Sequence, residues 1–141
     1  MTGEKLFLQY AFPCVEDRER AGAISTQHRE ELSGWIVRNV QPARRRLKFC
    51  FPKAFEALRA LAQRTRRAVW SLENVQDYWR NNHGHSGDCR VVQIAVEEIR
   101  GRVVVSKNQF FVNICNLPLS PGDKVYVHRR CVVEKVDEAL L

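Results

Sequence analysis

The feature that most constrains this chain is a change of hydrophobic period around residues 83–88. Before it, apolar side chains recur at helical spacing; after it come short runs rich in Val, Ile and Phe, bounded by turn residues. The two patterns are not interchangeable, because side chains repeat about every 3.6 residues on a helix and every 2 on a strand. The expected class is therefore α+β: a basic, mainly helical domain over 1–86, packed with a small antiparallel β-barrel over 88–141. The polar run His83-Gly84-His85-Ser86-Gly87-Asp88 is expected to join them as a linker.

In the front half, Leu6–Phe12 reads as an extended start broken by Pro13. From Ser25 the signal is helical. Ser25 or Thr26 can accept a hydrogen bond from the first turn, and Leu32, Trp35, Ile36 and Val40 share a face. Gln41-Pro42 is expected to end that helix, and Arg44-Arg45-Arg46 falls in the connection. A second helix starts near Pro52, with Phe55, Leu58, Leu61, Ala62, Thr65 and Val69 on one side and Lys53, Arg59, Arg64, Arg66 and Arg67 on the other. Ser71 can cap a third, whose apolar residues are Leu72, Val75, Tyr78 and Trp79.

The back half predicts four or five strands, drawn from Arg90–Ile99, Arg102–Ser106, Phe110–Cys115 and Lys124–Val136. Turns are expected at Arg100-Gly101, at Lys107-Asn108 and over Pro118–Asp123. So few short strands make no large open sheet, and a curled or closed barrel would hide both edges and core.

The net charge of +7 is uneven. Residues 1–87 hold 15 Lys/Arg against 9 Asp/Glu, whereas 88–141 hold 8 against 7. Within Arg38–Arg67, ten basic residues face the single acid Glu56. An acidic partner would be met there. The candidates for nucleic-acid or partner binding are Arg44, Arg45, Arg46, Arg59, Arg64, Arg66 and Arg67. The alternative is a solvated helix face.

The five cysteines, Cys14, Cys50, Cys89, Cys115 and Cys131, form no CxxC pair and no disulfide framework. They read as free thiols of a cytoplasmic protein, most of them packing as small apolar residues. No segment approaches the roughly 20 apolar residues of a membrane span, and Leu6–Phe12, interrupted by Gln9, is too short and polar for a signal peptide. Phosphate-loop, dinucleotide-binding and serine-nucleophile motifs are absent, so no motif points to an enzyme. His83, His85 and Cys89, with His128 and Cys131, offer five imidazole or thiol groups that suit zinc or iron, but at no zinc-finger spacing.

Cys89, then Ile99-x-Gly101, then Gly122-Asp123-Lys124-Val125-Tyr126-Val127-His128, and the tail Val132–Ala139 together resemble the HypC/HupF family of small hydrogenase-maturation chaperones. The front half is faintly similar to uncharacterised hydrogenase-associated proteins, through Leu6-Phe7-x-x-Tyr10-Ala11-Phe12-Pro13 and Tyr78-Trp79. The resemblance implies an OB-like barrel. It also implies that Cys89 and His128 hold an iron fragment transiently during assembly of nickel–iron hydrogenase. The sequence departs from the family in its long basic front and in the internal position of Cys89.

The function expected is that of a non-enzymatic accessory or assembly protein with a protein partner, such as a hydrogenase precursor or maturation factor. It would hold no resident cofactor. The alternative is a nucleic-acid-binding module built on Arg38–Arg67. Cys89 and His128 are expected to meet only if the barrel closes, with His128 pointing outward from the face opposite Val125 and Val127.

Overall fold

The computed structural model describes residues 1–83 and 89–136, in two units, Met1–His83 and Gly84–Leu141. His85 and most of the expected linker lie outside the described residues, as do Asp137, Glu138 and Ala139. The class is α+β, with helices in the first unit and strands in the second. No helix among the described residues is long and apolar enough to cross a membrane.

The first unit begins with a helix, α1 (Gly3–Ala11), where an extended segment was expected. Leu6, Phe7, Leu8, Tyr10 and Ala11 are all buried, so most of the helix surface faces the core. Lys5 and Gln9, one turn apart, are its only residues that are not buried and form one narrow polar stripe. Thr2 caps it by accepting from the Lys5 N–H at 3.2 Å. Rings converge on Phe7 from Phe51, Trp70 and Trp79, and Tyr10 stacks on Trp79. This aromatic cluster is the centre of the unit's core.

A single turn, Phe12–Cys14, leads to α2 (Val15–Arg20). Helix α3 (Thr26–Arg38) starts in a reciprocal cap: Ser25 Oγ accepts from the His28 N–H, and His28 Nδ1 accepts from the Ser25 N–H. It ends at Asn39, in the left-handed region, before Pro42 is reached. The three arginines expected in a connection open α4 (Arg44–Cys50), whose Leu47 and Cys50 are buried one turn apart. Helix α5 (Pro52–Thr65) begins at the expected proline and buries Leu58, Leu61 and Ala62. Ser71 caps α6 (Leu72–Asp77), which runs into a wide turn over Tyr78–Asn82. Leu32, Leu58, Leu61 and Trp79 are buried as expected, whereas Trp35, Ile36 and Phe55 are half-buried.

The second unit has six strands: β1 (Val92–Ala95), β2 (Glu98–Arg100), β3 (Val103–Ser106), β4 (Gln109–Val112), β5 (Lys124–His128) and β6 (Cys131–Lys135). They form one sheet in the order β1-β5-β6-β4-β3-β2. Pairing is antiparallel except for a short parallel contact, Val112 with Cys131, between β4 and β6. The sheet is mixed where an antiparallel one was expected, and no ladder among the described residues joins β1 to β2, so strand pairing does not close the expected curled or closed barrel. The two edge strands, β1 and β2, are the halves of one run that bends at Val96-Glu97. The Val96 N–H donates to the Asp123 carbonyl beside β5, whereas the Glu97 N–H donates to the Val105 carbonyl on β3. The break thus hands the chain from one neighbour to another and splits the first expected strand. Val96, Val104, Phe111, Val125, Val127 and Val132 form the core of this unit.

Candidate metal pair and basic surface

Strand β1 runs antiparallel to β5, with Val92 opposite Val127. Residues just before β1 therefore lie beside the end of β5. This register brings the Cys89 sulfur and a His128 ring nitrogen within 4.8 Å of each other. Their meeting depends on adjacent strands and not on closure of a barrel. Cys89 is half-buried. His128 is 0 % exposed, so the outward-pointing histidine expected from strand parity is corrected to a buried one.

Arg129 follows directly and places a guanidinium N–H 3.9 Å from the Cys89 sulfur. Arg129 and Arg130, which turn β5 into β6, both have positive φ, at 52° and 66°. A two-residue hairpin of this hand needs that conformation at both positions, and arginine adopts it at some cost. The sequence reading missed Arg129. Its signal was a two-residue interruption inside the run Lys124–Val136.

The remaining thiols divide by environment. Burial pushes the Cys50 thiol up, and the Cys115 thiol is pushed up to about 12 by burial and by Cys131 nearby. Such thiols are poor nucleophiles and poor ligands at neutral pH, because the thiolate is the reactive form. Cys131 stands opposite His128 in the β5–β6 register. His83 belongs to the first unit, where its Nδ1 lies 2.7 Å from the Tyr78 hydroxyl and its ring 4.2 Å from Trp79. A cavity of about 160 Å³ in that unit is lined by Cys14, Arg18, Phe51, Lys53, Trp79 and His83, among others.

The candidate basic residues are less free than their number implies. Arg44 pairs with Glu4 at 2.8 Å, Arg46 with Glu31 at 2.6 Å and Arg59 with Glu56 at 2.9 Å. Arg67 pairs with Asp77 at 2.7 Å and reaches Glu73 at 3.5 Å. Arg45, Arg64 and Arg66 have no ion pair among the described residues. Arg66 also takes the left-handed position that ends α5. The three unpaired arginines lie on two separate helices or their ends.

Against family models, curated proteins and solved structures, the chain has no match.

Proposed function

We propose that the protein is a non-enzymatic, cytoplasmic accessory protein that takes up a metal cargo at Cys89 and His128 and passes it to a metalloenzyme precursor. The one observation that carries this reading is the approach of the Cys89 sulfur and the His128 ring nitrogen to within 4.8 Å. Around a tetrahedral metal, a thiolate and an imidazole stand about 3.6 Å apart, at metal–ligand distances of roughly 2.3 and 2.1 Å. Side-chain adjustment of about an ångström would let both groups share an ion.

The donor set suits the task. A soft thiolate and an imidazole select iron, zinc or copper over magnesium and calcium. Two protein ligands leave the remaining positions to the cargo's own ligands or the recipient's, so transfer can proceed by ligand replacement. The resemblance to HypC/HupF chaperones makes iron the cargo and a nickel–iron hydrogenase precursor or maturation factor the partner.

The test is anaerobic titration of the whole chain with ferrous iron, read by competition with a chromogenic chelator. Uptake that Cys89→Ala abolishes, in a protein that stays folded, supports the pair. Equal uptake by wild type and variant, or none by either, removes the iron-carrier reading. The nucleic-acid alternative has weaker support, since four of the seven candidate arginines are already paired with acids.

A further inference from the structure

We infer that the outward stripe of α4, made by Arg45, Lys48 and Phe49, is a docking surface for an acidic, apolar-containing segment of a protein partner. The inference rests on the reading of the protein as an accessory that engages another protein, and it names where that contact is made.

Residues three and four apart share a helix face, so Arg45, Lys48 and Phe49 form one stripe. Burial of Leu47 and Cys50 on the other side turns it outward, and all three residues are exposed. Phe49 leaves 54 % of its surface in solvent, which no core packing explains. Its ring also rests edge-on against His28 at 5.0 Å, and His28 is itself fixed by the Ser25 cap. Lys48 is anchored by the Phe55 ring, with its Nζ 4.8 Å from the centroid. The stripe is therefore held in place before any partner arrives, which lowers the ordering cost of binding.

Charge complementarity selects the partner. Residues 38–55 contain six cations and no acid. Arg44 and Arg46, on either side of Arg45, have their acids in Glu4 and Glu31 and fasten the helix to α1 and α3. Arg45 and Lys48 have no ion pair among the described residues. Cations beside an exposed aromatic ring fit carboxylates interleaved with apolar side chains. Single-stranded nucleic acid asks instead for several aromatic platforms along a basic groove. Phe49 is also the one exposed apolar side chain of α4, which therefore lacks the broad apolar face that a helix lying in a membrane interface buries.

The experiment is fluorescence anisotropy of the full chain with a labelled peptide alternating glutamate and leucine. Polyglutamate, an oligothymidylate and phosphatidylserine vesicles serve as the competing probes. The expected result is that the glutamate–leucine peptide binds more tightly than any of them. Phe49→Ser then weakens it about tenfold, and Arg45→Glu with Lys48→Glu removes it. All three side chains are exposed, so these variants keep the fold, which circular dichroism checks. Failure of the peptide to bind at low salt, equal binding by the variants, or tighter binding of the oligothymidylate or vesicles would overturn the assignment. Cys89→Ala should leave peptide binding unchanged, so loss of the metal reading and loss of this surface are separate results.

Discussion

The Cys89 sulfur lies within 4.8 Å of a His128 ring nitrogen, yet the two residues differ sharply in what they do for the fold. His128 is fully buried at the end of β5, whereas Cys89 is half-buried and precedes β1. Cys89→Ala should therefore shift stability by less than about 1 kcal/mol, and His128→Ala should cost about 2–4 kcal/mol through lost packing. Urea unfolding of the two variants measures the difference, and equal costs would show that Cys89 is a core residue.

Gly3 is predicted to be irreplaceable. A β-carbon there would stand 1.9 Å from the Trp70 carbonyl oxygen, a backbone atom that cannot swing aside. Gly3→Ala should cost about 3 kcal/mol by forcing α1 away from the Trp70 backbone. Gly22, at φ +76° with open space around it, is the control. Alanine there carries only the left-handed penalty of about 1 kcal/mol. Thermal unfolding of both variants should separate a steric clash from a backbone preference.

Asp77 links the end of α6 to acid stability. The Asn81 amide, together with the Arg67 guanidinium, holds its carboxyl below the usual carboxylate range. A depressed folded-state pKa means that the unfolded chain binds the proton first. The stabilisation is thus present above the unfolded value of about 3.9 and is lost as pH falls through the lower folded value. Asp77→Asn should be less stable than wild type at neutral pH, and its stability should fall less steeply on acidification below about pH 4. Urea midpoints across that range check both signs.

The Arg129-Arg130 hairpin can be improved. Arg130 pays for a φ of 66° and gains a contact of its guanidinium with the Phe111 ring at 5.7 Å. Glycine adopts this conformation freely, so Arg130→Gly should relieve about 1 kcal/mol of backbone cost while losing roughly 0.5 kcal/mol of cation–π contact. A small net rise in the unfolding midpoint is expected. A fall would mean that the arginine side chain holds the turn.

By itself the sequence determined the α+β class, the helices beginning at Ser25 and Pro52, the cap at Ser71 and the turn at Lys107-Asn108. These signals are local: a cap, a proline or a run of alternating residues acts within a turn or two of itself. Tertiary structure decided the rest. Helix α1 formed where Leu6, Phe7 and Tyr10 found a core, and α4 became helical where Leu47 and Cys50 did. The strand count rose to six because two bends, at Val96-Glu97 and Arg129-Arg130, each divided one apolar run between different positions in the sheet. The approach of Cys89 to His128 arises in the same way, from β1 lying beside β5. No local property of either residue encodes that adjacency, since strand order is set by which distant segments can bury one another's apolar faces.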